Sequence, residues 1–380
     1  MRRLLLSVAA AVLLAVGLAA PASAAPLVPV TTAAAGHGIS GQYIITLKKG
    51  ASISAAVSQS HSSPLYRYGK VLNGFAAKLS STQLSRLRAN SSVAAIEQDG
   101  VMTADSTQSN PPSWGLDRVD QRPLPLSLSY TYTSTGSGVY AYVIDTGIYT
   151  ANSDFGGRAA VAYDALGGNG QDCNGHGTHV AGTIGGTSYG EAKSVQLRAV
   201  RVLDCNGSGT YSQVIAGMNW VATNHSNPAV ANMSLGGSYS SSVNSAANSL
   251  ASSGVFLAVA AGNSGANACN YSPSSAANAT VVAASSSTDT KPSWSNYGSC
   301  VHLYAPGVNI VSDYLNSTAT LSGTSMATPH VVGVAALYKA TYGNASYSTI
   351  RSWLTSNATS GKITNNPSGT PNLLLYTNGL

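Results

Sequence analysis

Residues 323–330 read Gly323-Thr324-Ser325-Met326-Ala327-Thr328-Pro329-His330, and the run that follows, Val331 to Leu337, is small or apolar on every face. Such a run predicts a helix enclosed by the core. Because proline has no N–H, we expect this helix to begin no more than about four residues before Pro329, with Ser325 in its first turn. A hydroxyl there meets free backbone N–H groups and the positive end of the helix dipole, which suits an oxygen that becomes an oxyanion. Ser325 is therefore a candidate nucleophile, although a serine that only caps a helix takes the same position.

The start of the 380-residue chain is typical of an export signal. Arg2 and Arg3 precede an apolar run, and Ala22-Ser23-Ala24 has the small residues of a cleavage site, so we predict a signal peptide over 1–24. Residues 25–38 are rich in Pro, Ala and Thr and predict a linker. No other stretch approaches the roughly 18 apolar residues of a membrane span. We therefore expect a secreted, extracellular protein with no membrane partner.

The net charge of +6 is confined to the first part of the chain. Lys and Arg outnumber Asp and Glu by 9 to 3 before Ser106, whereas there are 10 of each from Ser106 onward. A nucleic-acid-binding protein is expected to carry its basic excess on the functional domain. The charge distribution therefore argues against a nucleic-acid partner.

The four cysteines, Cys173, Cys205, Cys269 and Cys300, indicate disulfides in an exported chain. Their order allows three connectivities, of which we favour Cys173 with Cys205 and Cys269 with Cys300. Each bridge closes a loop of about 30 residues and contributes roughly 3–4 kcal/mol on the loop-entropy account. A zinc site is the alternative, and the absence of a CxxC pair argues against it.

Residues 39–105 predict a small separate domain. Strands are predicted over 42–47, in two short pieces over 66–79 that turn at Asn73-Gly74, and over 93–101. Helices are predicted over 52–60 and 81–88, which gives the β-α-β-β-α-β order of a ferredoxin-like α+β fold. The polar stretch 104–113 is typical of a cleavable junction, so a second domain is expected over 106–380.

The second domain alternates short apolar runs with helical stretches, a pattern that predicts an α/β sandwich with a mainly parallel central sheet. The predicted strands are 139–144, 197–203, 230–233, 255–260, 280–284 and 301–304, and the predicted helices are 177–185, 211–225 and 243–252. In that architecture functional residues gather at the carboxyl ends of the strands.

Three polar residues lie at the ends of predicted elements. Asp145 follows a buried strand, His176 opens a Gly/Ala-rich helix, and Asn263 follows the strand 255–260. With Ser325 they supply the carboxylate, base, nucleophile and oxyanion donor that acyl transfer requires. Each has a structural alternative, since Asp145 and Asn263 are common turn residues and the pair His176 and His179 could bind a metal. The zincin pattern needs histidines at i and i+4 with an adjacent Glu, and it is absent.

The three blocks that hold these residues resemble the signature motifs of the subtilisin-type serine proteases, in that family's Asp, His, Ser order. They are Val143-Ile144-Asp145-Thr146-Gly147, His176-Gly177-Thr178-His179-Val180-Ala181-Gly182 and Gly323-Thr324-Ser325-Met326-Ala327. From about Trp114 onward the chain is most similar to the proteinase K branch, in particular to aqualysin-like bacterial members, and all four cysteines are at positions expected of those enzymes. The resemblance implies a three-layer subtilisin-like fold.

The resemblance also implies a role for each site residue. Ser325 attacks the scissile carbonyl, His176 is base and then acid, Asp145 holds the imidazole, and the Asn263 amide with the Ser325 N–H forms the oxyanion hole. Substrate is expected to contact Gly207, Ser208, Gly209, Tyr211, Ser234, Leu235, Gly236, Ala260, Ala261 and Gly262. Those segments carry no carboxylate, so we expect broad cleavage after apolar or aromatic residues.

By the same resemblance, residues 39–105 are the inhibitory propeptide of a zymogen, removed by the enzyme itself at about Ser106. We expect protein and peptide substrates, the propeptide as intramolecular inhibitor, a monomeric enzyme, and no cofactor for the chemistry. There are two alternatives. A catalytically silent binding protein with the subtilase fold is expected to lack a triad residue. An esterase would be distinguished from a peptidase by comparing ester turnover with peptide turnover.

Structural calcium is the remaining implication of the resemblance. Two calcium ligands of the proteinase K branch align with His302 and Ser356, which carry no carboxylate, so calcium is doubtful there. Asp117, Asp120 and Gln121 match another calcium site of aqualysin-like enzymes, with capping or a surface role as the alternative.

Overall fold

The computed structural model describes residues 26–33, 38–100 and 106–380. These residues form two compact units, the first over 26–33 and 38–100 and the second over 106–380. The predicted signal peptide lies outside the described residues. Within the described ranges, no helix is both long and apolar enough to cross a membrane.

The first unit is a five-stranded sheet of order β1-β5-β2-β4-β3. Two amphipathic helices, each capped by a serine that accepts a backbone N–H, share an apolar core with the sheet. Its elements are β1 (Val30–Thr31), β2 (Gly38–Leu47), α1 (Ile53–Ser60), β3 (Pro64–Tyr68), β4 (Gly74–Lys78), α2 (Ser81–Arg88) and β5 (Val93–Gly100).

This order confirms the predicted β-α-β-β-α-β arrangement, with one addition. The predicted linker contains the two-residue strand β1, where Val30 pairs in parallel with Ile96 of β5. A two-residue strand has no periodicity to detect, which is why the composition of 25–38 predicted only a linker.

The second unit is built around a nine-stranded sheet of order β19-β20-β16-β15-β13-β11-β8-β10-β9. Its pairs are parallel, except β19 with β20. The strands of the unit are β6 (Ser106–Ser109), β7 (Ser129–Tyr132), β8 (Tyr140–Asp145), β9 (Ala159–Asp164), β10 (Gln196–Arg201), β11 (Ala229–Met233), β12 (Gly237–Ser238), β13 (Phe256–Ala260), β14 (Tyr271–Ser272), β15 (Thr280–Ser285), β16 (Leu303–Pro306), β17 (Ile310–Tyr314), β18 (Ser317–Leu321), β19 (Thr359–Ser360) and β20 (Leu373–Leu374).

Helices cover both faces of this sheet and give the three layers that the sequence predicts. The helices are α3 (Trp114–Val119), α4 (His176–Gly185), α5 (Tyr211–Asn224), α6 (Ser241–Ser252), α7 (Thr324–Tyr342) and α8 (Tyr347–Asn357), and short 3-10 helices span Ser153–Phe155 and Ala268–Asn270. Adjacent residues of β8 point to opposite layers: Val143 packs in the core that contains α4 and α7, and Ile144 in the core that contains α5 and α6. The strands are therefore apolar on both faces.

The topology places the end of β8 at a switch point of the sheet. The chain runs from β8 through α4 to β10 on one side of β8, and then through α5 to β11 on the other side. In such sheets ligands bind at the carboxyl ends of the strands where the order reverses. Asp145, the last residue of β8, lies at that position.

The helix that carries Ser325 begins earlier than the proline rule predicts. It starts at Thr324, five residues before Pro329, with Gly323 as N-cap. Pro329 cannot donate to the carbonyl of Ser325, one turn before it. That carbonyl accepts instead from the Ser234 hydroxyl at 2.7 Å. The Ser234 hydroxyl thus satisfies the Ser325 carbonyl, which Pro329 leaves without a donor, and this allows the helix to begin at Thr324.

Both predicted disulfides are present. Cys173 is bonded to Cys205 with the Cα atoms 5.0 Å apart, and Cys269 to Cys300 with the Cα atoms 5.4 Å apart. The first bridge joins the segment before α4 to the loop before α5.

Candidate active site

Asp145 and His176 form a directly bonded pair at the switch point. The Nδ1 atom of His176 lies 2.8 Å from Asp145 Oδ1, which also accepts from the Thr146 N–H at 2.7 Å. The Asp145 side chain is fully buried, whereas 27% of the His176 side chain is exposed. The carboxylate is therefore shielded from water, and the imidazole is open to a substrate on its other edge.

The buried carboxylate of Asp172 holds the start of α4, a role that no sequence motif indicates. Asp172 Oδ1 accepts from the Thr146 hydroxyl and from the Gly175 N–H, both at 2.9 Å. Asp172 Oδ2 accepts from the N–H and the hydroxyl of Thr178, at 2.9 and 2.6 Å. Asp172 thus connects the end of β8 to the first turn of α4, the two elements that carry Asp145 and His176.

Gly175 is the N-cap of α4 and has a φ of 107°, a conformation that favours glycine. A Cβ at this position would also collide with the Tyr314 ring, whose hydroxyl donates to the Asn174 carbonyl at 2.7 Å. The aromatic ring lies against the backbone from which His176 projects, and it limits movement of that backbone.

The surroundings of His176 raise its pKa above the usual 6.5. Burial lowers the pKa, but the charge of Asp145, the hydrogen bond to that carboxylate and the charge of Asp172 together outweigh the burial. A group that acts as a general base must be neutral, so the raised pKa would move the onset of such a role to higher pH.

Ser325 lies in the first turn of α7, with its hydroxyl donating to the Ser234 carbonyl at 3.1 Å. The hydrogen bonds of the described chain include none between Ser325 and His176. Catalytic hydrogen bonds are often long in the free enzyme and tighten only with substrate. The structure therefore brings Asp145 and His176 into contact, whereas the Ser325 hydroxyl is hydrogen-bonded to Ser234 of the predicted substrate-binding segment.

Two nitrogen donors lie beside Gly323. A Cβ built on Gly323 would lie 3.5 Å from Asn263 Nδ2 and 3.6 Å from the backbone nitrogen of Ser325. Asn263 Oδ1 accepts from the N–H and the hydroxyl of Thr324, both at 2.9 Å, which fixes the orientation of the amide. The Asn263 amide and the Ser325 backbone nitrogen thus both lie next to the candidate nucleophile, Ser325.

The ten predicted substrate-contacting residues line two adjoining cavities. A cleft of about 470 Å³ includes His176 and the segments 206–209 and 234–237. A second cavity, of about 250 Å³, includes 260–264, Thr324 and Ser325. Leu235, Gly236 and Gly237 line both.

The lining of the second cavity contains no charged side chain. Besides the predicted residues it includes Tyr271, Ser274 and Asn296. Asn296 donates to the Ala261 carbonyl at 2.8 Å and accepts from the Ser264 and Ala266 N–H groups. Asn296 lies outside the signature blocks, so its role in shaping this cavity could not be predicted from those motifs.

Asp117, Asp120 and Gln121 lie together against the loop 127–131. Asp117 accepts from the N–H groups of Ser127 and Leu128, and Gln121 Oε1 also accepts from the Ser127 N–H. Asp120 Oδ2 accepts from Thr131, whereas its Oδ1 is buried with no hydrogen-bond partner among the described residues. Burial, together with the charges of Asp117 and Glu191, raises the pKa of Asp120 to about 7 against the opposing hydrogen bond from Thr131.

This donor set fits a hard cation through Asp120, since an unpaired buried carboxylate oxygen is an oxygen ligand in need of a positive partner. Elsewhere the position that aligns with a calcium ligand, His302, is in contact with a cationic side chain. The Arg351 guanidinium donates to the Ala277 carbonyl and lies 3.2 Å from His302 Nε2. Ser356 is exposed. In the described ranges, no three His, Cys, Asp or Glu side chains are grouped to hold a metal ion.

Comparison with known sequences gives two family matches. A profile described as the subtilase family matches residues 136–374. A profile described as peptidase inhibitor I9 matches residues 42–105. The two matches fall on the second and the first compact unit respectively.

Individual relatives are similar over most of the chain. The extracellular serine proteinase of Thermus sp. (strain Rt41A) is 51% identical over 315 residues, which is 82% of this chain and 77% of that protein. Proteinase R of Parengyodontium album is 44% identical over 354 residues and 91% of each chain. The crystal structure of a cold adapted subtilisin-like serine proteinase matches with a TM-score of 0.68 and 50% identity, over 70% of this chain and 97% of that chain.

Proposed function

The chain belongs to the subtilase family, and from this premise we propose that it is a secreted serine endopeptidase made as a self-processing zymogen. The observation that carries the proposal is the hydrogen bond between Asp145 and His176 at the end of β8, with Ser325 and the nitrogen donors of Asn263 and Ser325 nearby. The direct test is hydrolysis of a peptide p-nitroanilide and of a denatured protein by the purified enzyme. Ester turnover without peptide turnover would favour an esterase.

The proposed mechanism starts with Ser325 Oγ attacking the scissile carbonyl while His176 Nε2 takes its proton. Asp145 keeps the imidazole in the tautomer with hydrogen on Nδ1 and stabilises the imidazolium that forms. His176 then donates the proton to the leaving amine, and an acyl-enzyme on Ser325 remains. Water, activated by the same imidazole, hydrolyses that ester and regenerates the free hydroxyl.

The developing oxyanion is bound by the Ser325 N–H and the Asn263 amide. We expect Asn263→Ala to lower kcat by roughly 10²–10³ with little change in KM, because the donor acts mainly in the transition state. Steady-state kinetics on one peptide measures both constants. Asn263→Asp is the matched control, since it keeps the acceptor for Thr324 and removes the donor. Near-normal turnover of Asn263→Asp would contradict the donor role.

Asp172 is proposed to position His176 and to raise its pKa. Replacement by Asn removes the negative charge and exchanges an acceptor oxygen for a donor facing Thr178. We expect kcat/KM to fall by about 10–100-fold, the cost of a misplaced catalytic group. Because the pKa of His176 decreases, the acidic limb of the kcat/KM profile should also move to lower pH.

A pH profile from 5 to 10 on one peptide substrate checks this prediction. Asp164→Asn is the matched control, because Asp164 contacts Arg201 and the 166–170 loop rather than α4. An acidic limb that stays in place in Asp172→Asn, with activity reduced, would leave Asp172 as a structural residue only.

We propose broad specificity with a preference for apolar or aromatic side chains before the scissile bond. The small, uncharged cavity formed by 260–264, Tyr271 and Asn296 supports this preference, since a buried Lys or Arg side chain would need a carboxylate partner. The segment 234–236 was predicted as a strand, but β11 ends at Met233. This segment and the loop 207–211 both line the larger cleft, and we expect them to pair with an extended peptide on either side.

Residues 39–105 act as the propeptide in this proposal, and self-cleavage near Ser106 yields a monomeric mature enzyme. The end of the inhibitor I9 match at residue 105 supports that boundary. The relative from Thermus is named extracellular, which supports secretion. The signal peptide over 1–24 remains a prediction.

No cofactor takes part in the proposed chemistry. We propose that Asp117, Asp120 and Gln121 hold a structural calcium ion, whose charge would pair with the buried Asp120 oxygen. Calcium is not proposed at His302, because the Arg351 guanidinium already supplies a positive charge beside that ring.

A further inference from the structure

One of the two disulfides lies at the rim of the cleft that contains His176. Cys173 is three residues before His176, and Cys205 directly precedes the segment 206–209 that lines the cleft. Both cysteines are exposed, so a small molecule can reach either sulfur from solvent. The bridge therefore connects the backbone that leads to the proposed base with the loop that is proposed to bind substrate, at a place open to chemical attack.

The Arg201 guanidinium contacts both sulfurs of this bridge. Its Nη2 atom lies 3.3 Å from Cys173 Sγ and 3.6 Å from Cys205 Sγ, and only 12% of the Arg201 side chain is exposed. Nη1 lies 3.5 Å from Asp164 Oδ2, and Nε donates to the Leu203 carbonyl at 3.4 Å. Among the described residues, the two sulfurs are the only hydrogen-bond partners of Nη2.

This contact favours the opened form of the bridge. A disulfide sulfur is a weak acceptor, whereas a thiolate is stabilised by an adjacent cation. A largely buried guanidinium nitrogen that faces only sulfur is therefore better satisfied when one of those sulfurs is a thiolate. The nearby carboxylates oppose a thiolate less than free ones would, because Asp164 and Asp204 each accept two backbone N–H groups and Asp172 accepts four hydrogen bonds.

The second disulfide has neither of these features. Cys269 and Cys300 are half-buried, and the Ser299 hydroxyl lies 3.7 Å from Cys269 Sγ. In the described ranges, no cationic side chain is hydrogen-bonded to either of these sulfurs. Thiol–disulfide exchange depends on access to the bridge and on how well the departing thiolate is stabilised. The two bridges of this molecule should therefore differ in reactivity.

We propose that Cys173–Cys205 is a thiol-exchange site, at which a low-molecular-weight thiol opens the bridge and loosens the substrate loop 205–209. The small thiolate attacks Cys205 Sγ, the S–S bond breaks, and its electron pair leaves on Cys173 Sγ, which is the nearer sulfur to the guanidinium. A second thiolate attacks the mixed disulfide and leaves Cys205 reduced. In total, two small thiols are oxidised to one disulfide, and their two protons and two electrons reduce the bridge to two cysteine thiols.

The loop 205–209 has few other bonds to the rest of the molecule. All five of its residues are exposed. The N–H groups of Asn206 and Ser208 donate to Asp204, within the same turn. Apart from the contacts of the sulfurs, the described hydrogen bond that leaves this turn runs from the Asn174 amide to the Cys205 carbonyl, at 2.9 Å. Opening the bridge should therefore give the loop much greater freedom to move.

The effect on turnover rests on the proposed function, whereas the exchange itself does not. We expect KM for a peptide to rise by about 10–100-fold when the bridge is open, because substrate must then order the loop as it binds. The kcat should stay within about threefold, since Asp172 keeps its bonds to the start of α4. Partial unfolding would instead lower the apparent kcat and leave KM unchanged.

The exchange is tested on the purified wild-type protein after reaction with a small dialkyl fluorophosphonate, which prevents autolysis if the chain is a protease and is harmless if it is not. The protein is incubated with 2-mercaptoethanol, samples are quenched with iodoacetamide, and peptide mapping gives the rate at which each cysteine becomes labelled. Cys173 and Cys205 should be labelled about tenfold faster than Cys269 and Cys300. Equal rates, or faster labelling of Cys269 and Cys300, would overturn the proposal.

A matched pair of variants isolates the effect of the guanidinium. Asp164→Asn keeps Arg201, and Arg201→Met in the same background removes the cation without leaving the Asp164 carboxylate unpaired. Labelling of Cys173 and Cys205 should be about 3–10-fold slower in the double variant than in Asp164→Asn, because the departing thiolate loses its cation. An unchanged rate would overturn the proposed exchange step.

Peptide hydrolysis is measured on the untreated enzyme, after opening with 2-mercaptoethanol, and after reoxidation. Cys269→Ser/Cys300→Ser lacks the other bridge and should show the same reversible rise in KM. Cys173→Ser/Cys205→Ser should have the raised KM from the start and no response to thiol. A KM that stays constant while Cys173 and Cys205 become labelled would overturn the link to substrate binding. If the untreated protein hydrolyses no peptide, the proposed function fails, and the labelling rates still decide whether this bridge is a thiol-exchange site.

Discussion

Replacing Ser325 with alanine is expected to leave the precursor uncut and to lower peptide hydrolysis by roughly 10⁶-fold, the scale known for removal of the nucleophile in a serine protease triad. The variant loses the only atom proposed to attack the carbonyl, while the oxyanion donors and the substrate cleft stay in place. Intact mass of the purified protein under non-reducing conditions measures the first effect. Turnover of a peptide p-nitroanilide measures the second.

Ser322→Ala is the matched control for this variant. Ser322 is an exposed serine three residues away, and its hydroxyl is bonded to Asn309. It should be cut near Ser106 and turn over peptides like the wild type. Trimming of the Ser325→Ala precursor to the same mass would show that another protease does the processing. If the wild type is also uncut and inactive, a catalytically silent binding protein becomes the better interpretation.

Replacing Asp145 with asparagine is expected to slow catalysis by about 10⁴-fold. The buried Oδ1 of Asp145 receives the Nδ1 hydrogen of His176 and compensates the imidazolium charge. An asparagine has no charge, and its amide nitrogen facing the ring would stabilise the tautomer with hydrogen on the wrong nitrogen. The geometry is otherwise retained, so KM should change little.

The measurement is the first-order rate at which the Asp145→Asn precursor converts to the mature form, followed by intact mass at two protein concentrations. Asp164→Asn serves again as the control, because it removes a partly buried carboxylate outside the triad. A conversion rate within tenfold of the wild type would contradict the role of Asp145.

The fold was predictable where buried strands leave continuous apolar runs. The six predicted strands and three predicted helices of the second unit all form, with ends that match or differ by at most two residues. The signal is weak for β9 (Ala159–Asp164), where half-exposed residues interrupt the run, and for the β17–β18 hairpin, where Ser, Thr and Asp alternate with apolar residues. Those missed elements pack against strands and helices that are distant in sequence, so local pattern alone did not reveal them.

The site was predictable to the extent that its residues lie within short blocks. Asp145, His176 and Ser325 are read from three such blocks, and Asn263 from its position after a strand. The role of Asp172 was not predicted, because it depends on hydrogen bonds that connect the end of β8 to α4 and that no sequence motif shows.

Labelling with a fluorophosphonate tests whether Ser325 is a nucleophile activated by the His176–Asp145 pair. This reagent reacts with activated serines and leaves a stable adduct that intact mass and peptide mapping locate. We predict one adduct, on Ser325 of the processed enzyme, and a loss of activity in proportion to the labelled fraction. The His176→Ala variant should carry no adduct. An enzyme that hydrolyses peptides yet carries no adduct, or carries it on another serine, would contradict the nucleophilic role of Ser325.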